Sequence, residues 1–149
     1  MVMPIYQTDE IYLREAIESV LQQTYSDFEF LIVNDSPHDA SRLQQIVASY
    51  NDERIIWIAC QINNGIAIAS NIGIDHAQGS FIAMMDHDDI CMPTRFEQQV
   101  KFLKANPEIG FVGGQAEAFY PDQSSVRLNY AISLSNDELQ QSFFDGVPF

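Results

Sequence analysis

The chain has 149 residues, of which 46% are hydrophobic and 19% charged, the balance of a globular domain and not of a disordered or fibrous chain. Seven basic residues stand against 21 acidic ones, and the resulting formal charge of −14 would repel nucleic acid and anionic lipid. An anionic ligand must therefore be met locally by a cation, a helix N-terminus or a metal ion.

At this length we expect one domain with one core over residues 1–149. Cys60 and Cys91 show neither metal-ligand spacing nor a disulfide framework, which predicts partly buried free thiols in a reduced setting. No apolar run of about 18 residues occurs, so we expect no membrane span, and we place the protein in the cytoplasm or at the cytoplasmic face of a membrane. The apolar run that opens at residue 1 leads us to expect a first strand that is cut short.

Four short apolar runs rich in Ile, Val and Phe predict buried strands, at residues 2–6, 28–33, 54–59 and 80–85. Helical patterns lie between or after them, at residues 10–23, 39–50, from 66 onwards and 93–107. This alternation predicts an α/β fold with a mostly parallel sheet. Two further strands are predicted on either side of a turn at residues 121–124.

Unusual residues follow three of the predicted strands, at positions 4–6, 34–39 and 86–89. Ligands of parallel sheets bind outside the carboxyl ends of the strands. We therefore expect these three segments to converge on one cleft.

The third of these segments, DHDD, brings three carboxylates and a histidine together directly after an apolar run. Like charges so close repel one another unless a cation or a proton lies between them. Mg²⁺ and Mn²⁺ bind through one or two carboxylates together with substrate phosphates, a task that suits Asp86 and Asp88. The alternative is that Asp86, Asp88 and Asp89 cap the turn into the following helix, with solvent screening their charge and His87 an exposed turn residue.

Two other polar segments have a similar ambiguity. Asp35 could accept hydrogen bonds from a base or a ribose, although the residues around it also make turns without a ligand. The segment NNGIAIASN, residues 63–71, could present backbone N–H groups and a helix N-terminus to a phosphate, which makes Asn64, Gly65 and Asn71 candidate ligand contacts. The alternative there is an Asn N-cap followed by glycine.

Taken in order, the segments MPIYQ, YLREAIESVLQQTYSDFEFLIVNDSPHD, NNGIAIASNIGIDHAQGSFIAMMDHDDI and MPTRFEQQV resemble the family 2 glycosyltransferases, which have a GT-A fold. The resemblance covers roughly residues 2–104. It implies a Rossmann-like, three-layer α/β/α half with a mostly parallel sheet, and a divalent metal, Mn²⁺ or Mg²⁺. It also implies inverting transfer of a sugar from a nucleotide-sugar donor, expected to be a UDP-sugar, to a hydroxyl of a saccharide or lipid-linked acceptor.

The resemblance assigns roles residue by residue. Residues matching Pro4, Ile5 and Tyr6 line the nucleotide pocket, and the residue matching Asp35 contacts the base. The triplet Asp86, His87 and Asp88 matches the metal and diphosphate motif, with Asp88 the expected metal ligand and Asp86 nearer the ribose and diphosphate.

The catalytic base stays unassigned. Family members usually continue into an acceptor-binding half that holds this Asp or Glu, so we expect a chain truncated at both ends that keeps the donor-binding half. Asp137, Glu138 and Asp145 remain, and none is in the pattern expected of the base.

Two alternatives to the transferase stay open. One is a non-catalytic domain that keeps the fold and binds a nucleotide or a partner protein, with a homo-oligomer as one form. The other is a metal-dependent phosphoryl or nucleotidyl transferase that uses the same acidic strand end.

Overall fold

A computed structural model describes residues 1–119 and 125–128. The chain divides into two compact units, Met1–Glu108 and Ile109–Phe149, and each is described by itself. The single domain expected over residues 1–149 stays a prediction.

The first unit alternates strands and helices. Its elements are β1 (Val2–Ile5), α1 (Glu10–Leu21), β2 (Phe30–Asn34), a short 3-10 helix (Pro37–Asp39), α2 (Ala40–Ala48), β3 (Ile55–Ala59), α3 (Ile66–His76) and α4 (Arg95–Ala105).

The three strands form a parallel sheet in the order β1-β2-β3, which confirms the predicted α/β fold. The register pairs Val2 with Leu31 and Ile32 with Trp57. All five residues of β2 are buried, because this central strand has a neighbour on either side and helices above and below. The carboxyl ends of β1 and β2 therefore lie side by side.

Helices cover both faces of this sheet, which gives the predicted three layers. The larger core packs α1, α2 and Phe96 of α4 against one face. The apolar stripe predicted for the first helix is confirmed, since Leu13, Ala16, Ile17 and Val20 are fully buried.

The other face is covered by α3, which lies very close to the strands. A Cβ built on Gly73 would stand 2.4 Å from Cγ1 of Val2 and 3.0 Å from Cγ2 of Val33. The small residues of this helix thus let it pack against the sheet, as the sequence predicts.

The segment 80–85 differs from its prediction as a fourth buried strand. It forms one isolated parallel bridge, between Val2 and Met84, and no continuous strand. Phe81, Ile82 and Met84 are 41%, 42% and 37% exposed. The prediction was wrong because apolar composition indicates a tendency to be buried but does not supply the elements that would cover the segment. The third strand, β3, is likewise only partly buried, since it has one neighbour.

The second unit contains β4 (Ala116–Phe119) and β5 (Ser125–Leu128), which pair antiparallel with Ala116 opposite Leu128. Both strands lie at predicted positions. The predicted turn at 121–124 lies outside the described residues, as do Asp137, Glu138 and Asp145. Among the described helices, none has the length and apolar character needed to cross a bilayer.

Candidate functional site

A cleft of about 390 Å³ opens at the carboxyl ends of β1 and β2 in the first unit. Its lining comes from the three segments that the sequence predicted to converge and from the start of α3. The lining residues are Pro4, Ile5, Tyr6, Asp35, Asn63, Gly65, Ile66, Ala69, Asp86, His87 and Asp88.

Asp35 follows β2 directly and is 2% exposed. Its carboxylate accepts hydrogen bonds from the backbone nitrogens of Asn64 at 2.9 Å and Gly65 at 2.8 Å. These bonds fasten the loop before α3 to the end of the central strand. Asp35 therefore shapes the cleft wall in addition to facing the cleft.

Gly65 is the N-cap residue of α3 and has φ +82° and ψ 158°, a conformation open essentially to glycine alone. No side chain caps the helix. The alternative of an Asn N-cap was therefore wrong. Because Gly65 and Ile66 both line the cleft, the positive end of the α3 dipole lies at its wall and favours an anion there.

The acidic turn, residues 86–89, contributes Asp86, His87 and Asp88 to the lining of the same cleft. Asp86 and Asp88 are exposed in the cleft, and the turn is closed by a 3.4 Å bond from the Asp89 nitrogen to the Asp86 oxygen. Burial, with the charges of Asp86 and Asp88, raises the pKa of Asp89. The carboxylates do not cap the next helix, since Thr94 is its N-cap residue and the side chain that accepts from a first-turn nitrogen of α4 is Gln23. The capping alternative for DHDD was wrong.

His87 lies between the two candidate metal ligands and is partly buried. Its Nδ1 is buried, and no group in the described part of the chain forms a hydrogen bond with it. A buried polar nitrogen without a partner is costly, which sets His87 apart from the other residues that line the cleft.

Charge in the cleft is negative from protein groups alone. Asp35, Asp86 and Asp88 line it, and no lysine or arginine is among its described lining residues. Within residues 1–119 and 125–128, no cluster of three or more His, Cys, Asp or Glu side chains could hold a metal by itself. The carboxylates of Asp86 and Asp88 nevertheless fit a hard divalent cation whose other ligands are phosphate and water oxygens.

Most residues predicted to contact the ligand line the cleft, and their contact with a ligand stays a prediction. Asn64 and Asn71 are the exceptions, because neither lines the cleft: Asn64 turns towards Asp35, and Asn71 is exposed on α3. Sequence reasoning missed Asn63, Ile66 and Ala69 as lining residues. The signal for Asn63 was present in the motif, but its neighbour was chosen.

Both cysteines are buried and free, as predicted. Burial and the nearby charge of Asp35 raise the pKa of the Cys60 thiol. Burial also raises the pKa of Cys91. Neither thiol is therefore activated as a nucleophile.

The fold and the cleft define an α/β domain with its candidate ligand site at the carboxyl ends of parallel strands. The whole chain, residues 1–149, matches the model of the family described as Glycosyl transferase family 2. The protein belongs to this family, as the resemblance of its motifs indicated.

Two similar proteins are also named as glycosyltransferases. The uncharacterized glycosyltransferase MJ1057 of Methanocaldococcus jannaschii is 40% identical over 111 residues, which are 73% of this chain and 38% of that protein. The amylovoran biosynthesis glycosyltransferase AmsE of Erwinia amylovora is 30% identical over 129 residues, which are 87% of this chain and 48% of AmsE. The chain thus spans less than half the length of both relatives.

The fold is shared with the crystal structure of S. aureus TarS 1-349, which superposes with a TM-score of 0.63. The identity is 23%, and the match covers 71% of this chain and 32% of TarS 1-349. The same fragment in complex with UDP superposes with a TM-score of 0.62. The likeness at this identity establishes the GT-A fold.

Proposed function

We propose that this chain forms the donor-binding part of an inverting, metal-dependent glycosyltransferase that uses a nucleotide-diphosphate sugar. The observation that carries the proposal is the presence, in the lining of one cleft, of both the Asp86–His87–Asp88 turn and the N-terminus of α3. A diphosphate bound between the acidic turn and the start of α3 would be stabilised on one side by the positive end of the helix dipole. On the other side its negative charge would need a cation, which the two carboxylates can hold.

The apolar and aromatic part of the cleft suits the nucleoside. Pro4, Ile5 and Tyr6 lie at the end of β1, and Ile66 and Ala69 face the cleft from α3. Tyr6 is 45% exposed and can contact a base with its ring. A UDP complex exists for TarS, which shares the fold, and uracil is accordingly the base we expect here.

The reaction needs three contributions. Asp88, with Asp86, would hold Mn²⁺ or Mg²⁺, which as a Lewis acid would stabilise the departing nucleoside diphosphate. The cleft would orient the sugar so that an acceptor hydroxyl attacks the anomeric carbon while the bond to the diphosphate oxygen breaks. A base takes the hydroxyl proton, and that base is not assigned in this chain.

Calorimetric titration tests the proposal. UDP and GDP are added to the chain with Mn²⁺ or Mg²⁺ and again with a chelator. We expect one nucleotide to bind, and its affinity to fall several-fold with chelator or in Asp88→Asn. The control is Asp75→Asn, which removes the same charge from an exposed position on α3 outside the cleft lining.

Nucleotide binding that Asp88→Asn and chelator leave unchanged would contradict the metal site. A folded chain that binds no nucleotide would favour a non-catalytic domain instead. The half-exposed Phe81, Ile82 and Met84 would then be a candidate protein contact.

A further inference from the structure

Arg95, the first residue of α4, contacts the chain on both sides of the acidic turn. Its Nη2 donates a hydrogen bond of 2.9 Å to the carbonyl oxygen of Met84, two residues before Asp86. Its Nη1 lies 3.8 Å from Sγ of Cys91, two residues after Asp89. One planar guanidinium thus joins the two ends of the loop that carries the candidate metal ligands.

Gln23, just beyond the end of α1, holds the downstream end of the same loop. This side chain is 6% exposed. Its Nε2 donates to the carbonyl oxygen of Met92 at 2.8 Å, and its Oε1 accepts from the nitrogen of Phe96 at 3.0 Å. A buried amide with partners on both of its polar atoms fixes the start of α4 against α1.

Ser19 of α1 adds a third attachment, because its Oγ accepts a 2.9 Å hydrogen bond from the Cys91 nitrogen. The segment after the turn is therefore anchored in the core. The segment before the turn is held by two backbone hydrogen bonds to Val2, by the buried side chain of Met85 and by the bond of Met84 to Arg95. Arg95 is the side chain that contacts both of these anchored segments.

The guanidinium does not serve as a direct counter-ion. In the described part of the chain, Arg95 forms no salt bridge with a carboxylate within 4.0 Å, and its donors are turned to Met84, Cys91 and Gln99. Its charge still lowers the pKa of Asp89 somewhat against the effects of burial and the neighbouring carboxylates. If Arg95 acts by its hydrogen bonds, lysine should not replace it. If it acts only by its charge, lysine should.

We propose that Arg95 is a positioning residue that closes the base of the acidic turn and, with Gln23, fixes where Asp86 and Asp88 stand in the cleft. This inference rests on the proposed metal-dependent nucleotide site. It explains how three mutually repelling carboxylates are kept in one turn without a lysine or arginine among the described cleft-lining residues.

The test compares Arg95→Lys with Lys101→Met, a change at an exposed position of the same helix. Lysine keeps the charge but cannot bond both ends of the turn as a planar fork does. Titration with UDP and Mn²⁺ should show a loss of about 10- to 100-fold in Arg95→Lys, the size typical of losing an outer partner of a metal ligand. Titration with UDP and chelator should change much less, which a general loss of structure would not produce. Full metal-dependent affinity in Arg95→Lys would overturn the inference.

Hydrogen exchange measures the turn without any ligand. In Arg95→Lys the backbone amides of residues 86–90 should exchange several-fold faster, while the amides of α1 keep their wild-type rates. In Lys101→Met all amides should keep their wild-type rates. Unchanged exchange of residues 86–90 would overturn the inference even if the native chain binds UDP. Faster exchange in a chain that binds no UDP would contradict the proposed function and leave the role of Arg95 in the turn supported.

Discussion

The carboxylate of Asp35 binds Asn64 through two kinds of donor: the backbone nitrogen lies 2.9 Å from Oδ1, and the side-chain Nδ2 lies 3.1 Å from the same oxygen. Asp35 is also bonded to the nitrogen of Gly65. Asp35, which is expected to contact the nucleotide base, thus also holds in place the loop that precedes α3.

Asp35→Asn should therefore reduce both stability and nucleotide affinity. An amide places N–H groups opposite donors that the carboxylate satisfies, so we expect unfolding to become easier by about 2–3 kcal/mol. Denaturant unfolding measures this loss, with Asp75→Asn as the exposed control. A drop in nucleotide affinity without a loss of stability would mean that Asp35 acts only on the ligand.

Gly73→Ala should destabilise the chain although alanine is the better helix former. The gain in helix propensity is about 1 kcal/mol. The new Cβ would stand 2.4 Å from Cγ1 of Val2, which is fully buried and has no room to move. Overpacking of this kind costs about 1–3 kcal/mol, so we expect a net loss in thermal or denaturant unfolding.

Shortening the side chain of Val2 tests whether its clash with the new Cβ causes the loss of stability. In a Val2→Ala background the clash is relieved, and Gly73→Ala should become less costly or stabilising. An equal cost in both backgrounds would show that the close approach of α3 to β1 does not limit this position.

The order of elements could be predicted because each depends on local periodicity. Leu13, Ala16, Ile17 and Val20 repeat at helical spacing, and all four are buried. The convergence of Tyr6 and Asp35 on one cleft followed from topology, since β1 and β2 are parallel and end on the same side, while Asp88 reaches the cleft from a segment with a single parallel bridge to β1.

The predictions that were wrong concern features that depend on contacts between segments far apart in the sequence. Asn63 and Asn64 are adjacent in the sequence, and only the bonds of Asn64 to Asp35 and the positive φ of Gly65 decide that Asn63 lines the cleft. The exposure of Ile82 could not be predicted either, because an apolar residue carries no record of whether a covering element exists.

The Asp52–Arg54 pair should make stability depend on pH. Arg54 donates to the Asp52 carboxylate at 2.7 and 2.9 Å, and its guanidinium lies 4.8 Å over the Phe28 ring. Hydrogen bonding by Arg54 lowers the pKa of Asp52 below its ordinary value. The stabilisation is therefore complete above the unfolded-state pKa, about 4, and is lost as the pH falls through the lower folded-state value.

Asp52→Asn should accordingly cost about 1 kcal/mol or less at pH 7, a size typical of such pairs. The difference from the native chain should shrink as the pH falls below about 4. Denaturant unfolding across this range measures it, with the exposed Asp27→Asn as control. A cost that stays constant down to low pH would assign the effect to lost packing instead of the ion pair.

His87→Phe should separate stability from binding. The Nδ1 of His87 is buried without a hydrogen-bond partner among the described residues, and an unsatisfied buried group costs about 1–3 kcal/mol. Replacing the imidazole with an apolar ring should leave thermal stability unchanged or raise it. If Nδ1 forms a hydrogen bond with the nucleotide, the same change should weaken UDP binding in the presence of Mn²⁺.

The matched control is His76→Phe at the end of α3. The Nδ1 of His76 lies 2.7 Å from the carbonyl oxygen of Ile72, so this histidine already has a partner. Its replacement should not raise stability and should leave UDP affinity as it is, since His76 does not line the cleft. Lower stability together with unchanged affinity in His87→Phe would show that the imidazole supports the turn and is not a ligand contact.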